Sequence, residues 1–146
     1  MKIALFQPEI AGNVGTIIRS CACFGVDLHI IEPCGFPFDI KKIRKSALDY
    51  YDLVNIIRHN SFDEFFDKEV RANKSRLILA TTKSDKNAKN FKFLDNDIVL
   101  FGQESSGVPL DIHEKCHERI KIIMKKDARS LNIAVSCGII LSFAAH

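Results

Sequence analysis

The sequence predicts an α/β fold, a mainly parallel six-stranded sheet with helices on both faces, from three observations. Short apolar runs at residues 3–6, 26–31, 53–57, 76–81, 97–101 and around Ile120 alternate with segments of helical period. Pro8, Pro33 and Gly102 close three of these runs and so mark where strands end. A chain of 146 residues that is 47% apolar can bury a real core, and it fits one domain over 1–146. Strands that alternate with helices favour parallel neighbours, and ligands of such sheets bind beyond the carboxyl ends of the strands.

Each element follows from local chemistry. After the first strand, Val14, Ile17, Ile18 and Cys21 recur at i, i+3, i+4 and i+7, so a helix is expected between an Asn13 N-cap and a Gly25 stop. Gly15 and Arg19 lie four apart on its polar face, where the glycine leaves room above the guanidinium. Asp39 caps a second helix with Ile40, Ile43, Ala47 and Leu48 inward and Lys41, Lys42, Arg44 and Lys45 outward. Four positive charges on one short helix can contact phosphates. Ser61 and Glu64 form a capping box ahead of Phe62, Phe65 and Phe66. Residues 83–96 read as a lysine-bearing connection with room for one helical turn, and 110–117 as a short helix. Between them, Gly102 and Gly107 let a loop turn sharply or approach a ligand.

The last stretch, 119–146, reads as strand, polar loop and buried helix. Ile120, Ile122, Ile123 and Met124 break into a polar run at 125–130, and 131–145 is then apolar except for Asn132, Ser136 and Ser142. Ser130 and Asn132 stand where the loop enters the helix, offering backbone donors and small polar side chains together. A helix apolar nearly all round needs cover on more than one side, which a second copy of the chain would supply as a homodimer.

Composition narrows the class. A formal charge of +3 permits a nucleic-acid partner without demanding one. Five cysteines without C-x-x-C spacing, with Cys21, Cys23 and Cys137 inside apolar runs, read as reduced core residues of a cytosolic protein. The first apolar run is broken at once by Gln7, Pro8 and Glu9, unlike a signal peptide, and the final helix is short of the ~20 residues that cross a bilayer. A cytoplasmic location is therefore expected.

Four short motifs bear on the chemistry. His113-Glu114-Lys115-Cys116-His117 matches H-E-x-x-H, the pattern of a zinc-dependent hydrolase. Such a site needs a long buried helix and a third ligand, whereas this segment is squeezed between Pro109 and Ile120. Gly102 and Gly107 have Walker A spacing, but Val108 and Pro109 stand where Lys and Ser/Thr would hold phosphate and magnesium. Gly12 and Gly15 make no G-x-G-x-x-G, and no nucleophile, base and orienting acid are arranged as a hydrolase triad.

Three ordered segments change the reading: residues 13–19 (NVGTIIR), 101–109 (FGQESSGVP), and 122–124 (IIM) with 129–132 (RSLN). Together they resemble the three motifs of the SPOUT RNA methyltransferases, along nearly the whole chain. Residues 7–10 (QPEI), 29–33 (HIIEP) and 48–50 (LDY) further resemble its small branch that methylates the 2'-oxygen of the wobble cytidine or uridine of tRNA. The chain departs from that pattern at Ser106, Ile123 and Ala134-Val135, so another tRNA or rRNA ribose stays open as the target.

The resemblance implies a C-terminal deep trefoil knot, a homodimer and S-adenosylmethionine as cofactor. Carried across by motif, cofactor contacts fall on Ala80, Gly102, Ile122, Ser130 and Leu131, and catalysis on Arg19 and Asn13. Glu104 and Asn132 complete the polar part, and RNA would lie on Lys41, Lys42, Arg44 and Lys45, with residues 83–92 and 125–126 beside them. The family mechanism often makes the arginine the proton acceptor. A guanidinium with a pKa above ~12 stays charged, so a phosphate clamp or stabilisation of a developing alkoxide is the chemistry open to Arg19.

Overall fold

The structure, a computed structural model, describes residues 1–145. Strands β1 (Lys2–Phe6), β2 (Asp27–Ile31), β3 (Ile56–His59), β4 (Leu77–Ala80), β5 (Ile98–Phe101) and β6 (Glu118–Ile120) form one sheet in the order β3-β2-β1-β5-β4-β6. Every neighbouring pair is parallel, where the sequence predicted a mainly parallel sheet. The helices are α1 (Ala11–Phe24), α2 (Ile40–Ala47), α3 (Phe62–Phe65), α4 (Leu110–Lys115) and α5 (Ile133–Ala144). Alternation of side chains along β1 divides the core. Ile3 and Leu5 pack with α1, α2 and α5 on one face, while Ala4 and Phe6 pack with α3 and α4 on the other. No helix among the described residues is long and apolar enough to cross a membrane.

Several expected boundaries move. Helix α1 starts at Ala11, because the Ile10 carbonyl accepts from Asn13 N (3.2 Å) and Val14 N (3.3 Å); Asn13 is inside the first turn and is not the N-cap. Gly25 does end the helix, at φ 66°. Gly15 is buried, and a Cβ there would lie 1.8 Å from Ser46 Oγ and 2.6 Å from the Ile43 carbonyl oxygen. The missing side chain therefore lets α2 approach α1, and it makes no room for Arg19. In α2, Asp39 Oδ1 accepts from Lys41 N at 2.9 Å as expected. Only Ile43 and Ala47 are buried there, while Ile40 and Leu48 face outward.

The third strand begins at Ile56 because its pairing with β2 starts at Leu28↔Ile56. Residues Leu48–Leu53 form a 3-10 turn instead, with Leu53 exposed. The capping box is present: Ser61 Oγ accepts from Glu64 N (3.1 Å) and Glu64 Oε2 accepts from Asn60 N (2.9 Å). It opens α3, which runs directly into a π turn, Phe66–Arg71. The connection after β4 holds one 3-10 turn, Ala88–Asn90. Helix α4 stops at Lys115, so His113 and His117 do not share a helix face, and His117 Nδ1 instead accepts from Leu77 N at 2.9 Å. Strand β6 ends at Ile120, leaving Ile122 and Met124 in the following loop. Cys21 and Cys137 are buried as expected, but Cys23 is exposed, and all five cysteines are free.

Candidate active site

Loops leaving the carboxyl ends of β1, β4, β5 and β6 enclose a cleft of about 660 Å³ with the start of α5. Its most constrained wall is the loop after β5. Gln103 and Gly107 exchange backbone hydrogen bonds at 2.8 Å each way, folding residues 103–107 into a tight hairpin with Gly107 at φ 66°. Gly102 lies against that hairpin, where a Cβ would be 2.6 Å from Gly107 C and 2.7 Å from its Cα. Only glycine fits there, since ordinary carbon contacts sit near 3.5–4.0 Å.

Long-range polar contacts hold the hairpin. The Glu9 carboxylate, from the β1–α1 loop, accepts from Ser105 N (3.0 Å) and Ser105 Oγ (2.8 Å). These bonds hold the Glu9 carboxyl below the ordinary glutamate value. Gln103 Nε2 donates to the Gln7 carbonyl (3.3 Å), and Ser106 Oγ donates to Gln103 Oε1 (2.8 Å). A second chain of bonds crosses the rim: Asn13 Nδ2 donates to Glu104 Oε1 (3.2 Å) and Asn132 Nδ2 donates to Asn13 Oδ1 (3.1 Å). Asn132 Oδ1 in turn caps α5, accepting from Ala134 N (2.8 Å) and Val135 N (3.3 Å). Thus Asn13, Glu104 and Asn132, 119 positions apart at the extremes, form one fixed polar edge.

Ala80, Gly102, Ile122, Ser130 and Leu131 all line this cleft, and so do Asn13, Glu104 and Asn132. Arg19 does not. It lies exposed on α1 with its guanidinium 5.1 Å from the Tyr50 ring centroid, a cation–π contact. Lys41, Lys42 and Lys45 are exposed on α2, away from the cleft lining. Arg44 is engaged by Asp52 through two bonds (3.0 and 2.8 Å) and stacks 4.5 Å from the Tyr51 ring, and the Asp52 hydrogen bonds raise its pKa further.

The structure adds residues that the sequence reading leaves out of the site: Thr81, Thr82 and Ser136 also line the cleft, as do Lys83, His113 and Met124, which the sequence places in an RNA-holding connection, a zinc motif and the third family motif. The rule that ligands sit beyond strand ends could have drawn attention to Thr81–Lys83, which directly follow β4. Glu9 carries no local signal of its role, because its partner is 96 residues away.

A wholly parallel sheet with loops converging on a cleft at its carboxyl edge, rimmed by fixed amides and a carboxylate, defines an α/β protein with an enzyme-like ligand site. The chain belongs to the SpoU rRNA methylase family, whose model matches residues 1–142. It is 44% identical over 144 residues to a tRNA (cytidine(34)-2'-O)-methyltransferase of Ancylobacter novellus, covering 99% of this chain and 90% of that one. It is 36% identical to the Escherichia coli K12 protein of the same name, covering 97% and 89%. A solved structure described as giving insights into the 2-OH methylation of C/U34 on tRNA matches with a TM-score of 0.91 at 33% identity, over 98% of this chain and 92% of that one. The SpoU methyltransferase AviRb of Streptomyces viridochromogenes, in complex with AdoMet, matches with a TM-score of 0.90 at 25% identity, over 99% and 56%.

Proposed function

We propose that the protein transfers a methyl group from S-adenosylmethionine to the ribose 2'-oxygen of the wobble nucleotide of tRNA. It does so in the cytoplasm, as a homodimer of single-domain chains whose C-terminal segment carries a trefoil knot. The observation that carries this reading is convergence: five residues from four separate segments, Ala80, Gly102, Ile122, Ser130 and Leu131, line one cleft. The names of the relatives and the AdoMet bound to AviRb support it.

The site fits the cofactor. A volume of about 660 Å³ suits a nucleoside-sized ligand, and Ile122, Leu131 and Leu79 offer aliphatic surface for an adenine face. Gly102 brings main chain close where any side chain would collide. When bound, S-adenosylmethionine supplies a methyl group activated on a sulfonium. The chain's own residues then position the acceptor. Asn13, Glu104 and Asn132 offer amide and carboxylate groups already locked in one network, so little ordering is left to the moment of reaction. Arg19 is off the cleft of its own chain and serves from a second copy, where its permanent charge clamps phosphate or stabilises the developing alkoxide.

A homodimer also gives α5 its missing cover. Val135 and Leu131 are exposed at the end of α5 nearest the cleft, and Phe24 is exposed at the end of α1. Calorimetry with S-adenosylhomocysteine is expected to give one site per chain, and sedimentation at micromolar concentration a dimer. Absence of a stoichiometric site would overturn the cofactor assignment, and a monomer the assembly.

A further inference from the structure

On the sheet face opposite α1 and α5, three ionisable side chains converge: two buried histidines and, above them, the partly exposed Glu69. His29 on β2 and His59 on β3 belong to parallel neighbours in the register His29↔Ile57 and Ile31↔His59, so they project from the same face two positions apart. The π turn Phe66–Arg71 then carries Glu69 over them. Single π turns are rare and often sit at functional positions. Phe65 packs against both imidazoles, with centroids at 5.9 and 5.3 Å.

His29 Nδ1 lies 2.9 Å from His59 Nε2 and 3.9 Å from Glu69 Oε1, and the three ligand atoms fall within 4.8 Å of one another. His29 and His59 are about 1% and 2% exposed, and His29 Nε2 has no hydrogen-bond partner. That atom faces away from the cluster; what faces into it is His29 Nδ1, His59 Nε2 and the Glu69 carboxylate, and two imidazole nitrogens 2.9 Å apart cannot both keep a proton, so at least one lone pair points at its neighbour beside a carboxylate. We propose that His29, His59 and Glu69 bind one zinc-class divalent cation, which pins the π turn to the β2–β3 edge.

The chemistry of the donors selects the ion. Two imidazoles and one carboxylate suit zinc or cobalt, whereas calcium and magnesium require mostly oxygen ligands. Zn–N bonds of about 2.0–2.1 Å place tetrahedral ligand atoms about 3.3 Å apart, so the His29–His59 pair at 2.9 Å opens slightly and the Glu69 carboxylate moves in by about 0.5–1.5 Å to close the site. Burial pushes His29 down to about 4 and lowers His59 as well, leaving both rings neutral with lone pairs available at neutral pH. Lys2 Nζ, 3.2 Å from Glu69 Oε2 and partly exposed, neutralises the carboxylate in the metal-free form and can swing to solvent on loading. No cysteine belongs to the cluster.

The test uses the full chain stripped with a chelator, then titrated with zinc and separately with cobalt. The expected result is one zinc equivalent and cobalt d–d bands of tetrahedral intensity without thiolate charge transfer. Glu69→Gln is expected to weaken binding by at least about a hundredfold, more than the loss of an outer-shell partner. Lys2→Ala is expected to tighten binding, since it removes the competing ammonium, whereas a purely structural ion pair would lose stability without any gain in metal affinity. S-adenosylhomocysteine affinity should not change in any of these proteins, which separates this site from the cleft. No stoichiometric binding, a thiolate band, or binding indifferent to Glu69→Gln overturns the proposal. Should Glu69→Gln fail to fold by circular dichroism, the Lys2→Ala titration decides.

Discussion

Replacing Gly102 by alanine tests how the cleft wall is built. The new Cβ would stand 2.6, 2.7 and 2.9 Å from Gly107 C, Cα and O, all main-chain atoms that no side-chain rotation can clear. Restoring a carbon contact of about 3.5 Å moves the hairpin by about 1 Å. That displacement strains or breaks the two 2.8 Å bonds between Gln103 and Gly107. Each is worth about 1 kcal/mol, in line with overpacking costs of about 1–3 kcal/mol. For a chain of this size, a loss of about 2 kcal/mol lowers the melting temperature by about 4–8 °C. Because a shift of about 1 Å in a positioned group can cost a hundredfold, S-adenosylhomocysteine affinity should fall by about ten- to a hundredfold. Calorimetry reads the affinity and scanning fluorimetry the stability. Wild-type affinity in Gly102→Ala would refute the claim that the Gly102–Gly107 contact shapes the cofactor wall.

Further outcomes follow from the same geometry. Asn132→Asp keeps an N-cap acceptor for α5 but cannot donate to Asn13, so it should melt near the wild type while kcat falls; Asn132→Ala should also lose about 1 kcal/mol of stability, measured by denaturant titration. Hydrogen bonds from Ser105 lower the Glu9 pKa in the folded state, so its stabilisation is present above the ordinary value of 4.5 and is lost as pH falls through the lowered folded value. Glu9→Gln should therefore flatten the acid limb of the melting-temperature profile, and an unchanged limb would contradict it. Charge reversal at Lys41, Lys42 and Lys45 should weaken tRNA binding and reduce its salt slope by up to about 0.9 for each phosphate no longer neutralised, read by filter binding at several salt concentrations. Arg44→Ala, whose side chain is held by Asp52, should change that slope less than any of the three lysines.

How much of this was legible in the chain depends on whether the cause was local. Strand cores, the Asp39 and Ser61 caps and the Gly25 stop rest on neighbouring residues, and the structure keeps them. Asn13 shows the limit. It has the right side chain for a cap, but the helix starts at the Ile10 carbonyl, and the Asn13 amide goes to Glu104, 91 residues away. The run at 53–57 is apolar enough for a strand, yet pairing with β2 decides the boundary and leaves Leu53 in a 3-10 turn. Gly15 suggests space beside Arg19 in the sequence because the approach of α2 is a tertiary fact. The cofactor residues become legible only as three spaced motifs taken together. Glu9 and Ser105 each stand in a family motif, yet nothing local pairs them, since their bond depends on the fold bringing two loops together.

The most direct measurement maps methyl groups on unmodified tRNA incubated with the purified full chain and S-adenosylmethionine. The expected product carries one methyl group on the ribose 2'-oxygen of the wobble nucleotide, and Arg19→Ala lacks it while still binding S-adenosylhomocysteine. A methyl group on a base, or no transfer to tRNA at all, would contradict the proposed reaction.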